Sequence, residues 1–174
     1  CLVALGSGST FLSRSIDTEA KHLTEVVKRG HDHRGASFIE ILQNCPIYND
    51  GIFEQVKDKK IAPDFRVELS HGQPIIFGKE SEKGITLNRD SLELEVVSVA
   101  GNEGKLLVHD ETHKIQAQLL ATMTGPDFPV AVGVIYREEK TSFVEDSQEL
   151  VQKARIEKSS LKSLLHSGHT WEVK

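Results

Sequence analysis

Three observations predict an α/β fold. An amphipathic helical pattern after Asp17 runs directly into an apolar segment, residues 38–42. A helix followed by a strand that is apolar on both faces belongs to a sheet covered on both sides, with parallel pairing. Between Arg66 and Val99, short segments rich in Val, Ile, Leu and Phe are separated by Gly, Pro and Asn turns, so the later part of the chain reads as β-rich. A helical pattern at residues 115–123 is then followed by a buried strand, "PVAVGVIY".

The elements follow in order. "CLVALGSGSTFLSRSI" gives a short apolar segment of interior character, a glycine-serine turn and a second apolar segment. Residues 1–5 and 38–42 are both expected in a sheet. Gly6 and Gly8 form G-x-G, but Phe11 stands where a dinucleotide fingerprint has its third glycine, so close helix–strand packing is the favoured role. Asp17 reads as an N-cap, with Glu19 in the first turn. Ala20, Leu23, Val26 and Val27 share a face, and Lys28 and Arg29 precede Gly30, giving a helix that frays through "HDHRG". A buried strand over 36–43 follows, then a short amphipathic helix within 52–60. The strands "FRVEL", "PIIFG", "GITLN" and "LELEVVSV" come next. In the last, Leu92, Leu94 and Val96 alternate, which predicts one wet face. "KLLVHD" reads as a short strand. Residues 146–166 read as one helix packing through Leu150, Ala154, Leu161, Leu164 and Leu165, stopped by Gly168.

Composition excludes several function classes. The 174 residues carry 21 Lys and Arg against 26 Asp and Glu, a formal charge of −5, and no basic run, which argues against a nucleic-acid surface. No apolar run approaches the roughly 18 residues that cross a bilayer. Two cysteines make no disulfide framework, so a reducing cytoplasm is the expected location. The chain opens on an apolar segment without methionine, which reads as a longer protein's C-terminal fragment. A lipoprotein Cys is followed by a polar tether, which is lacking here; an N-terminal nucleophile hydrolase using Cys1 is a distant alternative.

Most motif candidates stay with ordinary roles. His31 and His33 lie two apart, and His109 and His113 four apart beside Asp110. Neither pair completes a zinc motif, and surface or capping roles are expected. Glu80 with Glu82 and Glu138 with Glu139 read as solvated faces. Ser7 and Ser9 do not form a nucleophile elbow. Cys45 stands apart. It follows a strand, precedes Pro46 and enters an Asn49-Asp50-Gly51 turn. Its residue type suits a small buried hydrophobe. Its position, where a strand ends in a proline-shaped loop, suits a metal–sulfur ligand whose partners lie elsewhere.

"HLTEVVKRGHDHRGASFIEILQNCPIYNDG" resembles the second half of the thiamine-diphosphate domain in β subunits of 2-oxoacid:ferredoxin oxidoreductases, with their "hkGxSfvevLQ-P/N-C" strand and loop. "ALGSGSTFLSRS" is similar to that family's "ALGAGATFVAR" block, "LSHGQPIIFG" to its "H-G-x-P-(I/M)-x-F-G", and "PVAVGVIYR" to its "P-x-x-x-G-V-(F/I)-R". The blocks occur in the family's order along essentially the whole chain. The LQNC and YNDG variants most resemble the 2-oxoglutarate-using two-subunit enzymes.

The resemblance implies the second half of a doubly wound thiamine-diphosphate-binding domain over residues 1–51. A β-rich C-terminal extension of the β subunit would cover 52–174. It implies oxidative decarboxylation of a 2-oxoacid to an acyl-coenzyme A, with thiamine diphosphate, Mg²⁺ and a 4Fe–4S cluster as cofactors. The implied partners are an α subunit and ferredoxin. Cys45 is implied as the last of four cluster ligands. The family's C-x-x-C pair and its G-D-G…N motif for Mg²⁺ and diphosphate do not occur in these residues, so the 174-residue chain alone is expected to be inactive. The rival expectation is a non-catalytic assembly domain that buries Cys45 and docks a partner.

Overall fold

Two segments separated by more than a hundred residues, "FLSRSI" and "VAVGVIYR", lie side by side at the centre of a sheet. The computed structural model describes residues 1–155, 160–169 and 171, in two compact units, Cys1–Lys140 and Thr141–Lys174. The first unit runs α1 (Leu2–Gly6), β1 (Phe11–Ile16), α2 (Ala20–Asp32), β2 (Ser37–Leu42), α3 (Glu54–Lys57), α4 (Ala62–Phe65) and β3 (Arg66–Glu68). It continues through β4 (Ile76–Phe77), β5 (Lys83–Leu87), β6 (Leu94–Ser98), α5 (Lys114–Thr122) and β7 (Val130–Arg137). The second unit holds α6 (Phe143–Ala154) and α7 (Leu161–Leu165).

The main sheet has the order β2-β1-β7-β3, and a smaller antiparallel sheet has the order β4-β5-β6. β1–β2 and β3–β7 are parallel, while β1–β7 is antiparallel. The fold is therefore mixed α/β. The wholly parallel pairing expected from the first helix–strand unit holds for β1–β2 and β3–β7 and fails at the central pair, because β7 returns from the far end of the unit and enters beside β1 in the opposite direction. Two of the main sheet's strands precede residue 51 and two follow it.

β1 is buried along its whole length. Alternation sends Phe11, Ser13 and Ser15 toward α2 and Leu12 toward a core with Leu5, Val67, Leu120 and Ile135. α2 packs closely through Gly30, where a Cβ would lie 2.8 Å from Ile39 Cδ1 and 3.2 Å from Phe11 Cε1. Gly30 thus sits inside the helix as a contact point, and the helix runs on to Asp32. Its N-cap is Glu19 and not the expected Asp17. Asp17 instead pairs with Lys57 Nζ at 2.7 Å.

Other expectations are corrected by position in the sheets. Residues 1–5 do not form a strand: Leu2–Gly6 is a helical turn that buries Leu5 and leaves Val3 exposed. β2 forms as expected, but at the edge of the sheet, so Phe38 and Ile41 are 41% and 46% exposed instead of buried. Leu92 lies outside β6 in a turn with φ +60°, and Val97, not Val96, is the more covered residue there. "KLLVHD" forms no regular strand; Leu106 and Val108 make isolated bridges to Thr86 and Pro74. The single tail helix is two. α6 begins on a Ser142–Glu145 capping box, and its C-cap Arg155 is extended. Ser160 then caps α7. Leu150, Leu161, Leu164 and Leu165 are exposed, and residues 156–159 of the expected helix lie outside the described residues.

Candidate functional site

β2 delivers Cys45 into a loop closed by its own polar residues. The Asp17 amide bonds the Leu42 carbonyl at 3.1 Å, which ties the end of β2 to the end of β1. Asn44 then braces the turn twice: its Nδ2 donates to Asp50 Oδ1, and its Oδ1 accepts the Gly51 amide, both at 2.8 Å. Cys45 and Asn49 form an isolated antiparallel bridge, with the Asn49 amide 3.0 Å from the Cys45 carbonyl oxygen. An Asn and an Asp bonding nearby backbone and each other is the chemistry that such turns select for.

Inside this turn the Cys45 thiol is half-buried and unbonded to another sulfur. The backbone N–H of Tyr48, and then that of Ile47, hydrogen-bonds its sulfur and holds its pKa below the usual thiol value, against a smaller opposing effect of burial. Oriented N–H groups favour the thiolate, which is the species that binds iron. Beside Cys45, Ile47 and Tyr48 are 85% and 90% exposed. The loop fits one thiolate corner of a cluster. The other cysteine, Cys1, directs its Sγ to Glu40 Oε2 at 3.2 Å. Among the described residues no group of three or more His, Cys, Asp or Glu is placed to hold a metal ion.

The expected minor motifs find structural roles. His113 is the N-cap of α5, its Nδ1 accepting the Gln116 amide at 3.1 Å. His109 corrects the surface expectation: it is buried, and its Nε2 donates to the Val134 carbonyl at 2.8 Å. Burial lowers its pKa, which favours the neutral ring. His33 meets Thr10 Oγ1 at 2.9 Å and lies against the Phe11 ring. Burial, then the Arg137 charge, lowers its pKa.

Sequence reasoning missed a cavity of about 410 Å³ on the α2 side of the sheet, lined by His22, Arg29, His71, Glu111 and Arg137 among others. Arg29 Nη2 pairs with the nearly buried Glu111 at 2.7 Å, and the Glu111 amide donates to His71 Nδ1 at 3.1 Å. These residues come from four separate places in the chain, so no local spacing could announce them. The "HGQP" block is part of the same wall. Its Gly72 amide bonds the His109 carbonyl at 2.8 Å, and the His109 amide returns to Gln73 at 2.9 Å. Gly133, the glycine of "PVAVGVIYR", has φ +105°, and a Cβ there would stand 3.0 Å from the Leu69 carbonyl oxygen. Only glycine fits that backbone approach.

No protein-family model matches the chain. The 2-oxoglutarate oxidoreductase subunit KorB of Mycobacterium tuberculosis is 33% identical over 179 aligned positions, which cover 98% of this chain and 47% of that protein. The 2-oxoacid:ferredoxin oxidoreductase subunit beta of Saccharolobus solfataricus is 39% identical over 59 residues, 34% of this chain and 19% of the relative. The corresponding subunit of oxidoreductase 2 from Aeropyrum pernix is 41% identical over 76 residues, 43% of this chain and 24% of the relative. The chain thus spans about half the length of the mycobacterial relative. Over the part that it spans, the chain belongs to the beta subunits of the 2-oxoacid:ferredoxin oxidoreductases.

Proposed function

We propose that these residues serve a 2-oxoacid:ferredoxin oxidoreductase whose substrate is 2-oxoglutarate, with Cys45 as one ligand of a 4Fe–4S cluster. In the overall reaction a 2-oxoacid and coenzyme A give an acyl-coenzyme A and CO₂, and two electrons pass singly to two ferredoxins. Thiamine diphosphate with Mg²⁺ supplies the carbanion chemistry when bound, and the cluster supplies a one-electron path. The chain's own contribution is narrower. The Asn44–Asp50–Gly51 brace holds the turn, and the amides of Tyr48 and Ile47 lower the pKa of the Cys45 thiol, which favours the thiolate. The braced turn that holds Cys45 at the end of β2 is the observation that carries the reading. We assign residues 1–51 to the thiamine-diphosphate domain and 52–174 to the extension. The partners are an α subunit and ferredoxin, and the location is the cytoplasm. No described helix is long and apolar enough to cross a membrane.

The test is Cys45→Ser in the full-length complex with its α subunit, purified anaerobically. Serine's harder oxygen is a poor iron ligand, so iron content and the reduced-state paramagnetic resonance signal should fall. Electron delivery to ferredoxin should drop at least about tenfold while the protein still folds. A full iron complement with an unchanged signal would remove Cys45 from the ligand set. Comparing turnover of 2-oxoglutarate with that of pyruvate tests the substrate separately.

A further inference from the structure

We infer that α6 is a dimerisation element: it pairs antiparallel with α6 of a second copy of this chain. The helix carries an apolar stripe that is exposed among the described residues. Phe143, Val144, Leu150 and Val151 are 85%, 60%, 68% and 59% exposed, and no residue of α6 is buried. The stripe follows a heptad. With Phe143 at d, Val144 falls at e, Asp146 at g, Ser147 at a, Leu150 at d, Val151 at e, Lys153 at g and Ala154 at a.

Both size and charge select the second copy and its direction. In an antiparallel pair each a position meets a d position of the other helix. Every layer then sets a large residue on a small one, Phe143 on Ala154 and Leu150 on Ser147. A parallel pair would put Phe143 on Phe143 and Ala154 on Ala154, alternately crowded and empty, which packs poorly. Antiparallel pairing also brings g opposite g and e opposite e. Asp146 then faces Lys153 of the second copy twice, by symmetry, while Val144 faces Val151. In a parallel pair these g charges would meet the e-position valines instead. Lys153 also pairs with Glu149 one turn away in its own helix, so the Asp146 of the second copy would join an existing pair on that flank. Two three-turn helices bury less than the about 1,200 Å² of a stable interface, so the dimer is a weak one that forms with concentration.

The test uses sedimentation equilibrium on the 174-residue chain, at concentrations below the onset of light scattering, with far-ultraviolet circular dichroism to follow helix content. The wild-type chain should show a monomer–dimer equilibrium. Asp146→Lys alone turns both contacts into Lys–Lys pairs and Lys153→Asp alone turns both into Asp–Asp pairs; each should weaken the dimer about tenfold. An equimolar mixture of the two variants should dimerise as the wild type does, because every contact in the mixed pair is again opposite in charge. Each variant keeps its own helix cost in the mixture, so recovery there reports on the pairing and not on folding. The inference fails if the wild type remains monomeric throughout. It fails if either variant dimerises like the wild type, or if the mixture does not recover. It also fails if the α6 amides gain protection from hydrogen exchange only when an α subunit is added, which would make that subunit the occupant.

Discussion

His109 donates its Nε2–H to the Val134 carbonyl at 2.8 Å and is almost wholly enclosed, while its Nδ1 has no hydrogen-bond partner among the described residues. Burial lowers its pKa from the ordinary 6.5. As pH falls below that value, the unfolded chain takes up a proton that the folded chain refuses. Stability therefore falls with pH from 6.5 down to the folded pKa and is level above that window. His109→Leu should cost about 1–2 kcal/mol near neutral pH, because the Val134 carbonyl loses its donor. It should also shrink the loss of stability between about pH 7.5 and about pH 5, which urea titrations at the two pH values would measure. Part of that slope should remain, since the His33 pKa is lowered as well. Glu40 acts in a lower window. Burial pushes its carboxyl up, but the bond and charge of Arg14, its partner across β1–β2, prevail and hold it below 4.5. Its stabilisation is complete above 4.5 and is lost as pH falls through the folded value. An unchanged slope in His109→Leu would show that folding leaves the ring's pKa where it is in the unfolded chain.

At the scale of elements, β7 is the strand that joins the main sheet, with β1 on one side and β3 on the other. Its register with β1 shifts between Leu12 and Ser13, and Gly133 sits near that irregularity with φ +105°. Gly133→Ala would force a side chain into a left-handed backbone and against the Leu69 carbonyl oxygen at 3.0 Å. We expect a loss of about 2–4 kcal/mol, from strain together with displacement of β3. Thermal unfolding would measure it, and a loss under about 0.5 kcal/mol, the level of an ordinary surface substitution, would show that the strand can shift to admit the methyl group. The "PVAVGVIYR" strand was legible in the sequence because it is long, apolar and bounded. Its antiparallel entry beside β1 was not, because hydrophobic pattern records burial and not strand direction. The same limit explains "KLLVHD", which pairs through isolated bridges instead of a ladder, with Leu106 buried and Val108 exposed.

At the scale of the whole molecule, β2 has the sequence of a central strand in the position of an edge. Phe38, Ile39, Ile41 and Leu42 are apolar on both faces, and its one charge, Glu40, turns to Arg14. An uncharged, exposed edge invites other strands to pair with it. Ile41→Lys should therefore raise the concentration at which the isolated chain begins to scatter light, without lowering its melting temperature by more than about 3 °C. Unchanged scattering would place the sticky surface elsewhere. Sequence alone determined the α2–β2 unit, the buried strand at residues 130–137, the Cys45 turn and the family, because each depends on local periodicity, turn chemistry or a contiguous motif. Tertiary structure alone decided that residues 1–5 coil into a helical turn, that β2 lies at an edge, and that His109 is enclosed. It alone joined Arg29, His71 and Glu111 around one cavity. Those outcomes turn on which distant segment arrives beside each residue, and a linear pattern of apolar and polar side chains does not contain that information.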